Sequence, residues 1–151
     1  MKTKLFTLML LATVGLLACK TQSIKESTIV SYGTSFGMCV NYCKQSIVVE
    51  TTKVTFTKTK NGKIPDPKTC EKVITNEEFK TITGAIDKNK FDKLQEVIGC
   101  PDCADGGAEW VEVSQDGKKK RVTFEYGKAP EELKNAVAKL KELKESFANC
   151  N

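Results

Sequence analysis

Alternating polar and apolar residues mark out several short strands along the chain. Thr28-Ile-Val-Ser-Tyr-Gly33 is a β-branched and aromatic run ending at glycine, and it predicts a first strand. Ser46-Ile-Val-Val-Glu50 and Lys53-Val-Thr-Phe-Thr-Lys58 predict two more, joined at Glu50–Lys53. Val54 and Phe56 alternate with Thr55, Thr57 and Lys58, so one face is expected in the core and the other in water. Asn61-Gly62 and the Pro65-Asp-Pro67 pair predict an exposed loop.

The period then changes. In Ile74-Thr-Asn-Glu-Glu-Phe79, Thr75 can cap the amide of Glu78 while the Glu78 carboxylate returns to the amide of Thr75, a capping box with Ile74 and Phe79 at hydrophobic-staple positions. Phe79, Ile82 and Ile86 share a helical face, which predicts a helix over roughly 76–87. Phe91, Leu94, Val97 and Ile98 either extend it past Asp87–Lys90 or form a separate turn. Gly99–Gly107 reads as a loop. Ala108–Val113 and Lys120–Tyr126 flank Asp116-Gly117, a hairpin turn signal. Trp110 falls on the face opposite Val111 and Val113, and partial exposure is expected. Leu133, Ala136, Val137, Leu140, Leu143 and Phe147 recur at spacings of three and four after Pro130, which predicts an amphipathic helix to about 148. The reading is an α+β fold: a two-layer sandwich of about five antiparallel strands in two hairpin-plus-helix units, with both helices on one face.

The N-terminus follows a different grammar. Lys2 and Lys4 precede a largely apolar run from Leu5 to Leu17, too short for a membrane-spanning helix, which needs about 20 residues. Leu16-Leu17-Ala18-Cys19 resembles a bacterial lipobox. The resemblance implies a signal peptide over residues 1–18, lipidation (palmitate among the acyl chains) at Cys19, and anchoring in the membrane. The polar segment 19–27 reads as a tether, and 28–151 as one domain. Lys20, rather than an acid after the lipidated position, suits the outer membrane facing the periplasm. Loss of the leader takes the formal charge from +5 to about +3, with lysine and glutamate mixed throughout. That balance suits solubility and not nucleic-acid binding.

Six cysteines remain: Cys39, Cys43, Cys70, Cys100, Cys103 and Cys150. An even number in an oxidising compartment predicts disulfides. Cys70 precedes the first helix and Cys150 follows the last, so antiparallel helices on one face bring the two together, closing a loop of about 80 residues. The Cys39/Cys43 and Cys100/Cys103 pairs suit disulfides; alternatively, the four form a zinc site of four thiolates, or a thiol-redox centre. A thioredoxin-type role fits poorly, because Cys103 is followed by Ala-Asp-Gly-Gly and then a strand.

The chain has no histidine, which removes the usual general base and every Ser-His-Asp or Cys-His centre. Carboxylate pairs remain, Asp102 with Asp105 or Glu109 with Glu112, and Asp102, Asp105 and Glu109 offer oxygens of the kind calcium takes. No catalytic constellation is recognisable, so no enzyme and no resident cofactor are expected. Phe36, Met38, Tyr42 and Trp110 are candidates for an apolar patch at one end of the sheet, if the paired cysteines bring their loops together.

Gly37-Met-Cys-Val-Asn-Tyr-Cys43, Gly99-Cys-Pro-Asp-Cys-Ala-Asp-Gly-Gly-Ala-Glu-Trp110 and Val122-Thr-Phe-Glu-Tyr-Gly127 resemble a family of uncharacterised small lipoproteins of Bacteroidota-type bacteria. The likeness covers roughly residues 28–147 and implies a single-domain envelope lipoprotein with no known activity. A non-enzymatic module that binds an envelope protein is the leading expectation; a periplasmic protein inhibitor using the open sheet face is a further one.

Overall fold

The computed structural model describes residues 28–62 and 66–150. The signal peptide, Cys19 and the tether lie outside the described residues, as does Pro65. The fold is α+β: one open seven-stranded sheet with three helices packed against it. The strands are β1 (Ile29–Ser35), β2 (Lys44–Val49), β3 (Lys53–Thr59), β4 (Lys68–Val73), β5 (Val97–Ile98), β6 (Ala108–Gln115) and β7 (Lys118–Glu125). The helices are α1 (Asn76–Thr83), α2 (Lys88–Phe91) and α3 (Lys134–Glu145). The sheet order is β4-β3-β2-β1-β6-β7-β5. Every pairing is antiparallel except β5 with β7, so the sheet is mixed.

Cross-strand register makes the two faces continuous. Tyr32 lies opposite Ile47 on one side and Val111 on the other; Ile47 meets Phe56, and Val111 meets Val122. This row and its neighbours form the inner face. Ile82, Phe91, Val137 and Leu140 cover it from the helices, with Leu133 and Phe147 from the chain on either side of α3, in one continuous core. Each large apolar side chain buried there contributes about 1.5–3 kcal/mol. Phe56 and Phe147 stack at 5.4 Å between ring centroids, tying β3 to the chain beyond α3.

The local signals act as expected. Thr75 Oγ1 accepts from the Glu78 amide at 3.1 Å, and the Glu78 carboxylate accepts from the Thr75 amide at 2.7 Å. Asp116 and Gly117 both have positive φ (52° and 73°), as a two-residue hairpin turn requires. Two strands were not expected. β4 follows directly on the stretch where Asn61-Gly62 and Pro65-Asp-Pro67 predicted a loop, in residues for which no strand was expected; it is a polar edge strand, its Val73 82% exposed, and Cys70 belongs to it rather than to the helix approach. Of the two continuations expected after the first helix, the separate turn forms, as α2, and Val97 and Ile98 leave helical structure altogether as β5. The first helix stops at Gly84, α2 is a single turn capped by Asp87, and the chain then straightens so that Thr123 N–H donates to Glu96 O at 2.8 Å.

Cys70 and Cys150 are bridged, with Cα atoms 5.9 Å apart. The bond joins the inner face of β4 to the chain after α3, where Cys150 is 4% exposed. Among the described residues no helix is long and apolar enough to cross a membrane.

Candidate functional site

Three loops meet at the end of the sheet where β1, β3 and β7 finish and β2, β4 and β6 begin. The first, residues 36–43, is closed by the Cys39–Cys43 disulfide, with Cα atoms 5.7 Å apart. Phe36 N–H donates to Cys43 O at 3.1 Å, and Asn41 sits in the left-handed region at φ 76°. The second, residues 99–107, is closed by Cys100–Cys103, with Cα atoms 5.5 Å apart. Asp102, Ala104 and Asp105 all have positive φ, between 50° and 61°. Each non-glycine residue held there costs roughly 1–2 kcal/mol. The surroundings hold them: Asp102 N–H and Tyr126 N–H both donate to Gly107 O, at 3.0 and 3.2 Å. Glu125 accepts from the Cys100 amide at 3.3 Å and is ion-paired with Lys128. The Lys128 bond, then the Cys100 amide, hold its carboxyl below the usual carboxylate range.

The loops are tied to each other across long sequence distances. Gly37 N–H donates to Asp102 Oδ1 at 3.3 Å. Asn61, in the third loop, donates to the carbonyls of Phe36 and Gly37, both at 2.9 Å. The Phe36 ring lies over Gly107, where a Cβ would overlap it, and meets the Tyr126 ring edge-on at 4.9 Å. Glycine at 107 is therefore demanded twice, by φ 83° and by the ring. The result is a braced platform from which Met38 (77% exposed) and Val40 (88% exposed) project.

The four aromatic and sulfur side chains expected to share a patch are divided. Phe36 is spent on the tie between loops. Met38 is exposed beside it in sequence. Tyr42 lies under two ammonium groups, Lys58 at 4.7 Å and Lys60 at 5.3 Å from its ring centroid. Trp110 sits on the outer face of the sheet, half-buried, as the alternation predicted. Val40 was missed, although an apolar residue between two cysteines in a glycine-flanked loop has no route to the core.

The candidate carboxylates do not converge. Glu109 points into the helix side, 2% exposed, where it accepts from the Tyr32 hydroxyl and from Gly127 N–H at 3.0 Å. Burial first, then the bond to Glu109, pushes the Tyr32 hydroxyl far above the ordinary tyrosine range. Glu112 points to the opposite face, bridged by Lys119 and Arg121 at 2.9 Å each. Burial raises its pKa, but the bonds from these two cations outweigh it and the carboxyl is held low. Glu109 and Glu112 thus cannot act on one substrate atom, and Asp102 is occupied by Gly37.

The four cysteines of the zinc alternative form two local disulfides, and an oxidised cysteine supplies no thiolate to a metal. Among the described residues no group of three or more cysteines and carboxylates is placed to hold a metal ion. Together the three disulfides point to an extracytoplasmic protein. No protein-family model matches the chain, and no curated protein matches it.

Proposed function

We propose that the protein is a lipid-anchored, non-enzymatic binding module of the bacterial cell envelope, held on the periplasmic side of the outer membrane through Cys19. On this reading the disulfide-braced loops are its contact surface for an envelope protein. The observation that carries it is the placement of Met38 and Val40: two apolar side chains held in solvent on a loop that is bridged to itself and tied to a second bridged loop. Such bracing lowers the ordering cost of association, so more of the contact energy appears as affinity. Acyl chains on Cys19 would hold the module at the membrane, at about 0.8 kcal/mol for each buried methylene. The resemblance to small envelope lipoproteins agrees with this placement.

The test is site-specific photo-crosslinking in intact envelopes. A photoreactive residue at Met38 is expected to give one saturable protein adduct, abolished by Val40→Asp, with none from Lys139 on the exposed side of α3. Equal labelling from both positions, or none from Met38, overturns the reading. A thiol-redox role is supported by one specific feature, the exposure of both Cys100 and Cys103 in a short loop. It predicts a mixed-disulfide adduct trapped by Cys103→Ser, which the binding reading does not.

A further inference from the structure

Among the described residues no helix covers the outer face of the sheet, and its residues are not those of a merely solvated surface. Trp110 is the sole tryptophan of the chain. Its register partner on β1 is Gly33, in the middle of a strand. A Cβ at Gly33 would lie 2.7 Å from indole Cε2 and closer still to two other ring atoms. The glycine therefore leaves the space in which the indole rests against the sheet, an arrangement that needs a close backbone approach. The Arg121 guanidinium, on the β7 side, lies over the ring, its carbon 5.2 Å from the centroid. On the other side of the same groove stands Lys44, exposed and without an ion pair among the described residues. Between and around them Ser46, Thr57 and Thr123 line a depression of about 410 Å3. That volume lies in the range of about 300–1,000 Å3 typical of small-molecule sites.

The charge of this groove is positive. Lys44 and Arg121 are the charged residues of its lining, and the one carboxylate bonded to either, Glu112, is shared between Arg121 and Lys119. Glu125, at the end of the same face, is engaged by Lys128 and the Cys100 amide. An indole flanked by hydroxyl groups suits a ring with an apolar C–H face and a hydroxylated edge. The two flanking cations add a preference for negative charge. A single aromatic, rather than a succession of them along a basic channel, sets the groove apart from single-stranded nucleic-acid sites.

We propose that this groove, with Trp110 seated on Gly33 and flanked by Arg121 and Lys44, binds an acidic saccharide. The sugar ring packs against the edge of the indole beside the Arg121 guanidinium, its hydroxyls exchange hydrogen bonds with Ser46, Thr57 and Thr123, and its carboxylate or other acidic group meets Arg121 or Lys44. The site lies on the outer face of the sheet, next to the ends of the braced loops, and does not depend on their role.

Trp110 supplies its own readout. The full chain is titrated with an unsulfated hyaluronan tetrasaccharide, a neutral chitin tetrasaccharide, inorganic sulfate and a dT oligomer, while Trp110 emission is followed. The expected result is a saturable change with the acidic tetrasaccharide that is weakened about tenfold by Lys44→Gln and by Arg121→Gln. Lys44→Gln touches no packed group, so its fold is retained, and circular dichroism checks this. No saturable change with the acidic tetrasaccharide overturns the proposal. Equal affinity for the neutral saccharide refutes the ionic half. Equal affinity for sulfate reduces the site to an anion site, and tighter binding of dT gives it to nucleic acid instead; either overturns the saccharide assignment.

Discussion

Replacing both Cys70 and Cys150 by alanine removes the cross-link between β4 and the chain after α3 without burying a new hydroxyl at Cys150, which is 4% exposed. The bridge spans a sequence separation of 80. Loop-closure entropy for a loop of that length gives about 4.5 kcal/mol at 25 °C. A folded body of about 120 residues has an unfolding entropy near 250 cal/mol/K, so the melting temperature falls by about 18 °C. The same relation applied to the four- and five-residue loops of Cys100–Cys103 and Cys39–Cys43 gives only about 2 kcal/mol each, or about 8 °C. The assay is thermal unfolding by circular dichroism of the three double-alanine variants beside the parent. A fall below about 5 °C for Cys70→Ala/Cys150→Ala, or a larger fall for either short-loop variant, refutes the reasoning that the long bridge restrains the unfolded chain most.

Graded reduction should open Cys100–Cys103 first, because both sulfurs belong to exposed residues, and Cys70–Cys150 last; differential alkylation with peptide mass spectrometry gives the order. Tyr32→Phe leaves the buried Glu109 with only the Gly127 amide and should cost about 1–3 kcal/mol in urea unfolding. Because the Tyr32 hydroxyl ionises far less readily folded than unfolded, its contribution is complete below pH 10.0 and is lost as the pH rises beyond it; Tyr32→Phe should flatten that alkaline limb. Glu112 has the opposite sign. Its folded pKa is depressed below 4.5, so its contribution is present above that pH and lost as acid protonates it, and Lys119→Gln should weaken the acid dependence of stability.

What was legible in the sequence was local. The capping box at Thr75 and Glu78 needs only four residues in a row, and the Asp116-Gly117 turn only two. Strand alternation correctly set Trp110 against Val111 and Val113. The Cys70–Cys150 bridge followed from the ends of two helices expected on one face, although Cys70 turned out to sit in β4. That strand was illegible because Lys68-Thr-Cys-Glu-Lys-Val73 lies at the sheet edge with almost nothing to bury, and charged residues there discourage further pairing. β5 was illegible because Phe91, Leu94 and Val97 keep helical spacing, while the strand pairing that wins is made with β7, some 26 residues later in register. The site shows the same division. Gly37 and Asp102 are 65 residues apart, and nothing local says they meet. The seat of Trp110 on Gly33 depends on the β1–β6 register, which exists only once the sheet is assembled.

The most direct test of an envelope lipoprotein with oxidised, braced loops is non-reducing peptide mapping by mass spectrometry of the protein isolated from bacterial membranes. The expected result is an acylated Cys19 as the first residue, with Cys39 joined to Cys43, Cys70 to Cys150 and Cys100 to Cys103, and no free thiol. An unmodified Met1 with free thiols at Cys39, Cys43, Cys100 and Cys103 would contradict both the location and the contact surface.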